Sequence, residues 1–127
     1  IAFPKSWQAN GSDAATYVVT FQAFFTASVD TDTGTTVWGL SGVAIADNDS
    51  CNTAFGTNVV ATAKAFSGTS NDMTVSAVSG AVTVASAAVD TQTYFQIMRD
   101  VSADDQSGDA RLLGIKLFYT TDAKNDA

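Results

Sequence analysis

The sequence predicts an all-β fold: an antiparallel sandwich in which about seven or eight strands are joined by tight polar loops. Three observations carry this reading. Apolar residues recur with period two or in short runs between turn formers, and no segment sustains them at helical spacing. All thirteen acidic residues are Asp, with no Glu; Glu suits helices, whereas Asp suits turns and caps. The connections are built from turn formers, among them 10–13 (Asn-Gly-Ser-Asp), 30–34, 47–50, 68–72 and 103–108.

The elements follow in order. Ile1 and Phe3 alternate with Ala2 as in a strand, and Pro4 withdraws a backbone donor, which suits an edge or a strand end. With no Met at the start, Ile1–Trp7 reads as part of a longer polypeptide whose N-terminal strand or strands precede it. Upstream residues or a neighbouring subunit are expected to complete the sheet there. The clearest strand is 15–27, with Tyr17, Val19, Phe21, Ala23 and Phe25 on one face. Residues 35–46 read as a strand covered on both sides. Trp38 lies in its core, and Gly39 and Gly42 leave room for close backbone approach or a bulge. Weaker strands are expected over 58–66 and 73–78 and a short one over 81–85, and strands over 93–101 and 111–121 close the chain. In the last, Leu113, Ile115, Leu117 and Tyr119 share a face. The whole of 1–127 reads as one domain, folded over 1–121, with a polar tail at 122–127 that frays. A chain of this length buries roughly two thirds of its unfolded surface, so its core needs neither disulfide nor metal. The lone cysteine, Cys51, reads as a small, half-buried apolar residue.

Charge and composition exclude several functions. Six basic residues against thirteen acidic ones give a net charge of −7, which disfavours both a row of phosphates and an anionic membrane surface. No apolar run has the length of a transmembrane helix, and no signal-peptide pattern opens the chain. With no His there is no imidazole base and no Ser-His-Asp system. The Asp pairs Asp104/Asp105 and Asp47/Asp49 sit in surface loops, where a carboxylate stays ordinary. No catalytic residue, no cofactor and no enzymatic activity are expected.

Three binding features stand against plainer readings. Asp30-x-Asp32-x-Gly34 has the opening spacing of a calcium loop but lacks the later ligands, including a bidentate Glu. A solubilising acidic turn explains it as well, and no metal is expected. Trp7 is the aromatic best placed to stack on a sugar, because Trp38 lies in the most buried-looking strand. Arg99 and Arg111 flank the acidic loop 100–109 and are expected to pin it through its carboxylates.

Phe3-Pro4-Lys5-Ser6-Trp7, Val37 to Ala44, Thr53 to Thr57, Phe95 to Ser102 and the closing Asp109 to Asp122 occur in that order. Together they resemble a family of jelly-roll virion structural proteins of tailed bacteriophages, many marine or cyanobacterial, decorating capsids or associated with fibres. The resemblance covers nearly the whole chain and is most specific in the closing segment. It implies a jelly roll located in the virion and attached to other capsid or tail proteins. It also implies homo-oligomeric assembly, a trimer by analogy with phage appendages, and no catalytic residues. The alternative is a carbohydrate- or receptor-binding module of a phage fibre or cell-surface protein.

Overall fold

Alternation of large apolar residues with smaller or polar ones makes Val18–Ala27 a strand of 10 residues, β1. Its inward residues Val19, Phe21, Ala23 and Phe25 are at most 1% exposed, while Val18, Thr20, Gln22 and Phe24 are half-buried on the other face. A computed structural model describes residues 1–4, 6–7, 16–88 and 91–121; the 10–13 turn and the 122–127 tail lie outside them. After β1 come β2 (Thr35–Thr36), β3 (Trp38–Ile45), β4 (Val59–Val60), β5 (Lys64–Ala65), β6 (Thr74–Val75), β7 (Val82–Ala85), β8 (Gln92–Arg99) and β9 (Ala110–Phe118). The described residues contain no helix. Every strand expected after residue 15 is present, although 35–46 and 58–66 each divide in two. Among the described residues of 1–7 there are isolated bridges instead of a continuous strand, Ala2 to Gln92 and Trp7 to Thr121.

Two long antiparallel pairs organise a sandwich-like arrangement. β1 pairs with β9 along most of its length, and β3 pairs with β8 from Trp38/Arg99 to Ile45/Gln92. β7 joins the two layers. Its first residues run antiparallel to β1 (Val19 opposite Val82) and its last run parallel to β3 (Gly42 opposite Val84). The sheets are therefore mixed, which corrects the purely antiparallel expectation. A parallel neighbour needs a long connection where a hairpin gives an antiparallel one, and residues 46–81 supply that length between β3 and β7.

The core lies between the layers. Phe21, Phe25, Leu40 and Val82 are fully buried, each contributing about 1.5–3 kcal/mol by burial. Trp38 is 5% exposed and its ring lies 5.9 Å from that of Phe25, so it is core as expected. A second aromatic group closes one end. Phe3 stacks on Trp7 at 4.0 Å and meets Phe95 and Tyr119 edge-on, and Trp7 also touches Tyr17.

Strand β3 is buried on both faces, and its glycines show how. A Cβ on Gly39 would stand 2.5 Å from the Asn58 carboxamide, and the Gly42 carbonyl accepts from Gly56 N–H at 3.0 Å. The 46–58 connection thus lies directly against the strand. On β1 the missing neighbour between β6 and β7 is replaced by hydroxyls. Phe21 N–H donates to Ser79 Oγ at 3.0 Å and Ala23 N–H to Ser76 Oγ at 2.9 Å.

One expected face is broken. The β1·β9 register shifts between Phe24/Gly114 and Phe25/Leu112, leaving Leu113 as the extra residue of a β-bulge. Leu113 is 58% exposed, while Ile115 and Leu117 pack on the core. The bulge resets the alternation, so Leu113 and Ile115 do not share a face.

Candidate functional site

Residues of four kinds come into question: the 30–34 motif, the two arginines, the tryptophans and a surface depression that sequence reasoning missed.

The Asp-x-Asp-x-Gly motif is folded around bonds to its own chain. Asp32 is 8% exposed, and its Oδ2 accepts from Ser28 N–H and Ser28 Oγ–H, both at 3.1 Å, and from Val29 N–H at 3.4 Å. This closes the turn after β1. Asp30 points elsewhere and accepts from Ser70 N–H; hydrogen bonding to Ser70, first its side chain and then its backbone, lowers the Asp30 pKa. The two carboxylates do not converge on one point. Gly34 adopts φ +96°, and a Cβ there would lie 2.4 Å from the Asp105 carbonyl oxygen. Its lack of a side chain admits the 103–108 loop. Among the described residues no group of three or more acidic or thiol side chains is disposed to hold a metal ion.

That loop is pinned to β2 by a run of bonds. Asp105 accepts from Thr35 N–H and Oγ–H, both at 2.7 Å, and its pKa falls through the same contacts. Gln106 Oε1 accepts from the buried Thr36 hydroxyl, and Ser107 N–H donates to Thr33 O at 2.9 Å. Arg99 sits behind the loop in a bidentate pair with Asp104, whose side chain is 3% exposed. The same guanidinium donates to the carbonyls of Gly108 at 3.0 Å and Gln106 at 3.3 Å. Its bonds hold the Asp104 carboxyl below the ordinary aspartate range and raise the Arg99 pKa. Arg99 therefore pins the loop as expected. Arg111 does not: it is exposed, and among the described residues the ion pair is Arg99–Asp104. The bulge at Leu113 is the reason, because it changes which way the start of β9 presents its side chains.

Trp7 is 4% exposed, and its indole N–H donates to the Val18 carbonyl at 3.3 Å. Its ring is stacked inside the aromatic group, so it offers no open face to a sugar. Besides Tyr119 at the aromatic end of the sandwich, the exposed aromatics among the described residues are Phe55 (41%) and Tyr94 (48%). With Val43, Ile45, Cys51 and Thr53 they line a mainly apolar depression of about 260 Å³ on the outer face of β3 and β8. Cys51 stands exposed at this depression, not half-buried as expected, because the connection bearing it lies over the sheet as an outer layer. Strand alternation puts Tyr94 on the outer face, opposite to Phe95. Nothing in the local sequence places Phe55 beside it.

The chain matches no family model, no curated protein and no solved structure.

Proposed function

We propose that this chain is a non-enzymatic bacteriophage virion structural protein, a jelly-roll module that attaches to other virion proteins as capsid decoration or in a tail or fibre appendage. The observation that carries the reading is the nesting of the two long pairs. The first strand after residue 15, β1, pairs with the last, β9; inside that pair, β3 pairs with β8. A long antiparallel hairpin rolled up on itself produces this order, and it is how a jelly roll is made. The closing segment that most specifically resembles the phage family is the one that forms β9. The use of the carboxylates supports a scaffold role: Asp30, Asp32, Asp104 and Asp105 fasten loops to the chain's own donors. An acidic surface with pinned loops suits a module facing solvent on a particle. Quantitative mass spectrometry of gradient-purified particles tests this. The chain should appear at a fixed ratio to the major capsid or tail protein, and its absence from infectious particles would refute the reading.

A second reading, a glycan- or receptor-binding module, is favoured by the depression bearing Phe55 and Tyr94, since exposed rings can stack on sugar faces. Specific signals on a glycan array that disappear in Tyr94→Ala would establish it.

A further inference from the structure

The layer formed by β6, β1 and β9 carries an apolar and cationic outer face. Residues opposite one another in an antiparallel pair point to the same side, so the outward residues of β1 define it. Thr20 stands opposite Phe118, Gln22 opposite Lys116, Phe24 opposite both Gly114 and Val75, and Thr26 opposite Arg111. A sheet face turned to water alternates to polar side chains. Here Val18, Phe24, Val75 and Phe118 hold outward positions and are only half-buried. Leu113, the extra residue of the bulge, and Met73, next to β6, are exposed by 58% and 60%. Charge is segregated too. Of the described basic residues, Arg99 is bound to Asp104 and Lys64 lies on β5, whereas Arg111 and Lys116 both stand exposed on this face. The Lys116 ammonium lies 4.8 Å from the centre of the Phe118 ring, which keeps its charge against the apolar surface. No residue of β1, β6 or β9 is acidic, although the chain carries thirteen Asp. A Cβ on Gly114 would meet nothing within 4 Å, so the surface is open opposite Phe24, between Leu113 and Lys116.

We propose that this face is the docking surface for an acidic, apolar-bearing surface of a neighbouring protein. Its carboxylates meet Arg111 and Lys116, and an apolar side chain between them seats over Gly114 against Phe24. Aromatic residues, methionine and arginine are the types enriched at protein interfaces, and a contiguous exposed apolar patch marks such a site. Charge complementarity selects the partner. Two cations on an acid-free face attract carboxylates, while the acidic remainder of the molecule repels them and so fixes the orientation of approach. Two cations are too few to hold a row of phosphates against a net charge of −7. A second copy of the chain is disfavoured as occupant, because two molecules of that charge repel. The proposal rests on the virion reading only for the source of the partner.

Titration of the full chain by NMR tests it, with a capped peptide of alternating aspartate and leucine and, as control, one of alternating lysine and leucine. The acidic peptide should shift the amides of Gln22, Phe24, Gly114, Lys116 and Phe118 with a Kd of about a millimolar, and the basic one should leave them in place. The double variant Arg111→Gln, Lys116→Gln should bind the acidic peptide roughly tenfold more weakly. Raising the salt to about 0.5 M should weaken the parent in the same way without any substitution. Four results would overturn the docking surface: no shifts on this face, equal shifts with the basic peptide, binding indifferent to both the variant and salt, or shifts of the same amides with protein concentration alone. The last would make a second copy the occupant. Absence of the chain from particles with the peptide result intact would remove the virion source of the partner and keep the surface.

Discussion

Replacing Ser79 by Ala isolates the contribution of a hydroxyl that stands in for a strand. Phe21 is fully buried, and its amide has Ser79 Oγ as acceptor at 3.0 Å; the hydroxyl in turn donates to Gly80 O at 2.8 Å. Alanine removes both bonds without changing backbone geometry and leaves an N–H with no access to water. Orphaning a buried donor costs about 1–3 kcal/mol, and the small cavity left by one oxygen adds little. For a domain of this size about 2 kcal/mol corresponds to a fall in Tm of roughly 6–10 °C. Thermal unfolding by circular dichroism measures the fall. Hydrogen exchange places it, because the Phe21 amide should lose protection before its β9-bonded neighbours Thr20 and Gln22 do. Ser102→Ala, which removes an exposed hydroxyl bonded to Asp100, serves as the control and should stay within about 0.5 kcal/mol. If Ser79→Ala melts within a degree of the parent, β1 does not depend on serine hydroxyls for its second edge, and the packing of residues 76–81 against it has been misread.

Three further outcomes follow from the same geometry. Trp38→Ala should cost about 3–5 kcal/mol, the range for deleting a packed large aromatic, and a near-parental melting curve would put Trp38 outside the core. The folded-state pKa of Asp104 is depressed, chiefly by its bond to Arg99, so its contribution is complete above the ordinary value near 3.8 and is lost as pH falls through and below it. Asp104→Asn should therefore lower stability at pH 7 by about 2–3 kcal/mol and flatten the acid limb of a stability–pH curve; an unchanged acid limb would refute the pair's role. Millimolar calcium should leave Tm unmoved, because Asp30 and Asp32 face different backbone donors. A rise of several degrees that vanishes in Asp32→Ala would show a bound ion, since a ligand of the folded state alone must stabilise it.

Much of the sandwich is legible in the sequence because burial imposes period two on long strands. Phe21, Ala23 and Phe25 announce their face, and the mostly apolar character of 37–45, with large residues at both odd and even positions, announces a strand covered twice. Events that change the count by one residue are not legible. The bulge at Leu113 reverses the face of everything before it, and with it the role expected of Arg111. Nothing in the local pattern of 110–118 marks the extra residue, because the shift is set by pairing with β1. Exposure in irregular segments is equally hidden. Trp7 is buried because Phe3, Tyr17 and Phe95 converge on one end of the sandwich, a tertiary fact. Cys51 is exposed because its connection forms the outer layer over β3. Charge roles were readable in kind but not in partner: Arg99 does pin the acidic loop, while the carboxylates of 30–34 serve two different turns.

The proposal that this sandwich is a building part of a phage particle, with its pinned acidic loops facing outward, is tested on the particle itself. A cryo-electron microscopy reconstruction of the particle tests it most directly. The account predicts ordered density into which the nested β1·β9 and β3·β8 pairs dock without rearrangement, with the 103–108 loop toward solvent. Particles that contain the chain but bury the 103–108 loop against a neighbour would contradict the outward orientation. Infectious particles with no density for the module at all would contradict the claim itself.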